Sequence, residues 1–203
     1  MEKLMIHLVF FIIISLGIAD TFSVDVESSS IEWIGKKVAG QHDGNISILY
    51  GNVSRYLKTD NSIVINGEFA IDMTSITNND IESEEYNKYL VDHLNSSDFF
   101  DVEKFKTATI KIANNDLITN QDSLYNTMIT AEITIKGRTQ EIVFPAKIIF
   151  SKDIAIAEGT INIDRTLFDI KYKSKNYFPD IGDKFIYNNF TLNFNIIAKK
   201  NNK

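Results

Sequence analysis

Arg165 lies in the stretch TINIDRTLFDIKY, residues 160–172, on the same side of an alternating run as Ile161 and Ile163. A guanidinium keeps its proton throughout the useful pH range, and leaving one unpaired in a low-dielectric interior costs several kcal/mol. A carboxylate, an aromatic face, water or an anionic ligand must therefore meet it. Two roles stay open. In the structural one Arg165 pairs with a nearby acid, or stacks on Trp33 and plugs one end of the fold. In the functional one it steers a polar head group, and a shared arginine could do both.

The other reactive side chains form no catalytic set. The chain has three histidines and no cysteine, so disulfides and thiolate metal sites are excluded. A three-ligand zinc site would need both His42 and His93 plus a carboxylate, and the spacing suggests none. His42, in GQHDG, reads as a turn residue. His93 ends a predicted helix, where its charged form would suit the dipole. No Gly-rich phosphate loop and no G-x-S-x-G elbow occurs. Asp98 and Asp101 lie close together, as carboxylates do by chance in an acidic chain. Lys37 shares the Trp33 face and is expected to snorkel its ammonium into water.

Strands must position these residues. Period-2 runs cover SIEWIGKKVA, NISILYGNVS, SIVINGEFAIDM, TATIKIAN, LYNTMITAEITI, EIVFPAKIIF, IAIAEGTINIDR and FTLNFNIIA. Lys136-Gly137-Arg138 and Ser151-Lys152-Asp153 are expected turns. Gly159 suggests a bulge or bend, and Pro145 an edge or interruption. NDIESEEYNKYLVDHLNS instead has helical spacing, predicting one helix over 81–94 with a weak capping box from Asn79 to Glu82. Phe99 and Phe100 are expected to pin the helix exit onto the sheet. Eight sequential antiparallel strands with one inserted α-helix predict an all-β up-and-down barrel. Such a barrel either fills with side chains or encloses one small ligand.

Met1–Ala19 has a lysine, an apolar run over Leu4–Ile18 and small residues at Gly17 and Ala19, the layout of a cleaved secretory signal. An uncleaved anchor is the rival reading. Residues 20–203 then form one domain. Export without cysteine fits a bacterial periplasm. The formal net charge is −6 with no concentrated basic face, which argues against nucleic acid as a partner.

Taken together, WIGKKVAGQHDG, GEFAIDMTSITNND, HLNSSDFFDVEKFKTATI, IKGRTQEIVFP, IDRTLFDIKY and IGDKFIYNNFTL resemble, in order, the YceI-like family of bacterial periplasmic proteins. The resemblance implies a lipocalin-like barrel, export and a polyisoprenoid or similar long-chain amphiphilic lipid in the interior. It also implies homodimers, transient membrane contact, no catalysis and no cofactor beyond that lipid. Asp169 stands where glycine is usual, Lys106 where proline is, and Ile110 where phenylalanine is. Without an intervening bulge, Asp169 would alternate onto the Arg165 face and supply its carboxylate. The expected lining is Trp33, Phe69, Ile71, Phe144, Ile161, Ile163 and Phe194, with Arg165, His93 and Asp98 at the polar end. A filled-barrel interaction or stress protein and a lipid-modifying enzyme are the alternatives.

Overall fold

The computed structural model describes residues 19–60 and 62–201. The expected signal segment, apart from Ala19, lies outside the described residues. The strands are β1 (Asp20–Val24), β2 (Ser30–Lys37), β3 (Gly40–Leu57), β4 (Ile63–Asp72), β5 (Thr107–Leu117), β6 (Thr127–Ile135), β7 (Arg138–Phe150), β8 (Ile154–Asp164) and β9 (Ile186–Lys200). One helix, α1 (Glu84–Asn95), lies between β4 and β5.

All nine strands form one antiparallel sheet in which β2 bonds β9, β9 bonds β8, and so on back to β4, which bonds β3 and closes the ring. The first two strands share one place. β1 fills the gap between β3 and β9 at one end, with Phe22 opposite Val53 and Lys200. β2 fills it at the other end, with Ile31 opposite Ile46 and Phe194. The barrel is therefore eight-stranded in cross-section, and the extra short strand splits one position rather than adding a ninth.

The turns follow the backbone needs of tight reversals. Lys136 and Gly137 have φ of 51° and 71°, so the β6–β7 hairpin turns on two left-handed residues. Pro145 stands where the β7–β8 ladder ends, the last registered pair being Ala146 with Gly159. Gly159 is no bulge, since its pairing with Phe194 of β9 continues in register. It is a close-approach site, where an added Cβ would sit 2.7 Å from the Phe194 ring and 2.9 Å from the Pro145 carbonyl oxygen.

His42 is a strand residue opposite Gly35 rather than a turn residue, because β2 reverses earlier, through Val38 and Ala39. The helix begins at Glu84, capped by Ser83, whose hydroxyl accepts from the Tyr86 N–H. Asn79 does not cap it. It belongs to a strap that crosses β3, with the Thr77 N–H donating to Asn45 O at 3.0 Å and the Asn79 N–H to Asp43 O at 2.9 Å. Trp33 Nε1 donates to Thr77 O at 3.0 Å and locks the strap from inside.

Phe22, fully buried, closes the β1 end as a floor. It packs with Ala155 and Ala198, and its ring lies 5.5 Å from Phe150. The remaining core runs up the barrel to Leu94, Phe99 and Val102, which follow or belong to the helix.

The strap crosses close to Gly44, where a Cβ would lie 1.8 Å from the Thr77 carbonyl oxygen. Gly44→Ala must displace it, and overpacking of this kind costs about 1–3 kcal/mol. Thermal denaturation should show the loss. The emission of Trp33, the only tryptophan in the chain, should shift to the red as the strap lifts.

Candidate functional site

Two strands end with the same local signal. β4 runs into Asp72-Met73-Thr74 and β8 into Asp164-Arg165-Thr166. In each the aspartate Oδ1 accepts from the N–H two residues on, at 2.9 Å in both, and from that threonine's hydroxyl, so the chain bends into a single 3-10 turn. The residue after each aspartate turns inward. Met73 is 5% exposed and Arg165 1%. An arginine thus occupies a core position whose counterpart on β4 holds a methionine.

Three backbone oxygens bind the guanidinium. Nη1 donates to Ile170 O at 2.7 Å, Nη2 to Ile186 O at 3.1 Å and Nε to Tyr187 O at 3.2 Å. Its carbon lies 5.6 Å from the centroid of the Phe99 ring, so Phe99 is the aromatic partner and not Trp33. Burial pushes the pKa of Arg165 down to about 10, with Asp164 opposing, so the group remains charged at neutral pH. Among the described residues no carboxylate lies within ion-pair distance of it.

Asp169 does not supply one. The 3-10 turn breaks the alternation that would have brought it round, and Asp169 takes a left-handed backbone at φ 63°. Glycine adopts that conformation without strain and aspartate tolerates it. Its carboxylate points outward to Arg138 Nη2, at 3.4 Å, and to Lys171.

Arg165 sits in the wall of a cavity of about 850 Å³, counting the space at its mouth. The wall is otherwise almost wholly apolar, with Ile31, Trp33, Ile46, Phe99, Phe100 and Phe190 prominent. A second cavity of about 630 Å³ lies further in, walled by Phe69, Ile112, Ile129, Phe144, Ile161 and Phe194. Ile31, Ile71, Ile110 and Leu192 line both. The two chambers therefore adjoin in series along the barrel, the outer one reaching the half-exposed Tyr187 and the Phe22 cluster lying beyond the inner one.

Of the expected lining, Trp33 faces the upper chamber, Phe69, Phe144, Ile161 and Phe194 the lower, and Ile71 both. Ile163 is 1% exposed but packs in the solid part of the core. Asp98 is exposed and lies outside the lining. His93 is also outside it, with its ring 4.4 Å from Tyr172 and 5.8 Å from Phe99. Periodicity alone could have found Ile31, Ile110, Ile112 and Leu192, since each shares a strand face with a residue already expected or with another of the four. Lys37 is exposed, and its Nζ lies 2.9 Å from His42 Nε2, whose Nδ1 lies 2.8 Å from Asp80.

His93 is held neutral. Burial lowers its pKa from the ordinary 6.5, with Lys173 adding to the shift and Asp98 opposing it. Its Nε2 is buried and has no hydrogen-bond partner among the described residues. A charged imidazolium at the helix end, as the dipole alone would favour, is overridden by desolvation.

Residues 22–198 match the YceI-like domain family, and the chain belongs to it. No curated protein sequence matches it significantly. Its fold is that of Burkholderia cenocepacia BcnA, at 17% identity and a TM-score of 0.62 over 86% of this chain and 99% of that one. A polyisoprenoid binding domain from Saccharophagus degradans, implicated in plant cell wall breakdown, is similar at 12% identity and a TM-score of 0.60, over 89% of this chain and 98% of that one. A mutant CJ YceI protein made for nanotechnology applications follows at 19% identity and 0.51, covering 75% and 82%.

Two expected outcomes test this geometry. Arg165→Met strands the buried Ile170 carbonyl oxygen, which costs about 1–3 kcal/mol, and the partly buried oxygens of Ile186 and Tyr187, which cost less each. The urea midpoint should fall by the equivalent of about 3 kcal/mol or more, with the slope of the transition unchanged. For His93, the unfolded chain takes up a proton below about pH 6.5 that the folded state refuses, so stability falls as pH drops below that value. His93→Phe should flatten this limb in a pH series of urea midpoints. The carboxylates with lowered pKa, Asp20 and Asp169 among them, act only further down, below their ordinary 3.8.

Proposed function

We propose that the protein binds one long isoprenoid-type lipid along the tunnel that the two chambers form and carries or stores it in the periplasm, without a catalytic step. The observation that carries this reading is the pair of adjoining apolar chambers, with a buried, fixed positive charge in the wall of the outer one. The Saccharophagus degradans neighbour's description as a polyisoprenoid binding domain supports it.

The energetics suffice. Each buried methylene contributes about 0.8 kcal/mol, and micromolar affinity needs about 8 kcal/mol. About ten methylene equivalents therefore reach it before ordering costs. The apolar walls give affinity and little discrimination. Orientation falls to Arg165, whose guanidinium has five N–H donors. Three are spent on carbonyls, and one on each Nη is free to meet a prenol, quinone or phosphate oxygen. The head group then sits in the outer chamber and the tail runs inward past Ile110.

Solvent extraction of protein purified from a host that makes isoprenoid lipids should yield about one apolar molecule per barrel, read by mass spectrometry. Repeated recovery of buffer components alone would sink the reading. Ile110→Trp at the junction of the chambers should shorten or abolish the recovered chain while leaving the β-sheet circular dichroism unchanged.

A further inference from the structure

The mouth of the tunnel presents a surface that holding a lipid does not require. β2 and β9 meet there, with Lys37 opposite Ile186, so the β2–β3 hairpin and residues 171–187 flank one opening. The latter segment, KYKSKNYFPDIGDKFIY, carries four lysines against two aspartates in a chain of formal net charge −6. Lys36 and Lys37 add two more cations on the hairpin. Between these charges stand outward apolar side chains, Val38 at 44% exposure, Tyr177 at 47%, Phe178 at 50% and Tyr187 at 49%. Lys171 lies over the Tyr177 ring at 5.1 Å and Lys175 over the Phe185 ring at 5.3 Å. A shallow depression lined by Lys175, Asn176, Phe185 and Asn188 shares Ile186 and Tyr187 with the outer chamber, so the patch leads directly into the tunnel.

We propose that this mouth face docks on a bilayer containing anionic phospholipid and presents the tunnel end-on for lipid exchange. The inference rests on the lipid-cargo reading and adds where the cargo is loaded. Aromatic rings settle at the head-group level of a bilayer, and lysine stems lie along apolar surface while their ammonium groups reach the phosphates. Each lysine near an anionic surface strengthens adsorption about fivefold, an effect that fades within a Debye length and is screened by salt. Asp169, which pairs with Lys171, and Asp180, Asp183 and the acidic first turn of α1 carry the opposing charge at this end of the barrel, so the approach is led by Lys173, Lys175, Lys184 and the hairpin lysines.

The chain has no cysteine, so a single introduced one is labelled alone. Asn176→Cys, in the patch, and Lys152→Cys, in the β7–β8 turn at the far end, each carry an environment-sensitive fluorophore on the full chain. Each label reports only its own surroundings, whatever residues 1–18 contact. With vesicles of phosphatidylcholine and phosphatidylglycerol the label at 176 should shift to the blue and the label at 152 should stay aqueous. The response should weaken in high salt and with phosphatidylcholine alone. Lys173→Gln, Lys175→Gln and Lys184→Gln together should raise the half-maximal vesicle concentration by more than about tenfold. A label at 176 that remains in water, or equal shifts at both sites, overturns the docking face. Extraction of a stoichiometric lipid from the same protein then leaves the cargo reading standing. A docked label with nothing extracted leaves the face and removes its cargo.

Discussion

The hold of Arg165 on three backbone oxygens organises the open end of this barrel. Those oxygens belong to Ile170, Ile186 and Tyr187, the two sides of a long excursion between β8 and β9. Without the guanidinium that excursion would have buried carbonyls facing an apolar interior and no shared anchor. With it, the excursion is sewn to the end of β8, and the start of β9 is aimed into register with β2. A charge that would be a liability in a core becomes a fastener because its neighbours are carbonyl dipoles, which neutralise it without a second ion. No carboxylate among the described residues pairs with it directly, Asp164 acting only at longer range, so the guanidinium in the wall of the outer chamber still attracts oxygen-bearing groups.

The hollow has a related cause. Eight antiparallel strands set a circumference that isoleucine side chains alone do not fill. The lower end is solid because Phe22, Phe150, Ala155 and Ala198 meet across it. Above, isoleucine is the commonest wall residue, and the strap, α1 and Phe99 roof the space.

Much of this was legible in the residues. Alternation located the eight strand positions of the ring, the inserted helix to within three residues at its start, and the Lys136-Gly137 reversal. β1 escaped because five residues, DTFSV, directly after an apolar run give too short a stretch to show a period. The inward position of Arg165 followed from parity, but its partners did not. They are backbone oxygens, and any residue type supplies those, so no side chain announced them. Asp169 misled because a two-residue capping signal, Asp164 to Thr166, broke the count. Neither His93 nor Asp98 lines the chamber with Arg165, although His93 meets the same Phe99 ring; desolvation against Tyr172 and Phe99, a tertiary effect, decided the state of the histidine.

The seam that shuts the ring joins Phe22 to Lys200 and the N–H of Asn201 to the Thr21 carbonyl. Contacts so far apart along the chain are the slowest kind to form, since loop-closure entropy must be met first. A polypeptide emerging from its amino end cannot complete the ring until the last strand has been synthesised. The closed interior consequently does not exist during elongation, and its outline is settled only when the last strand docks.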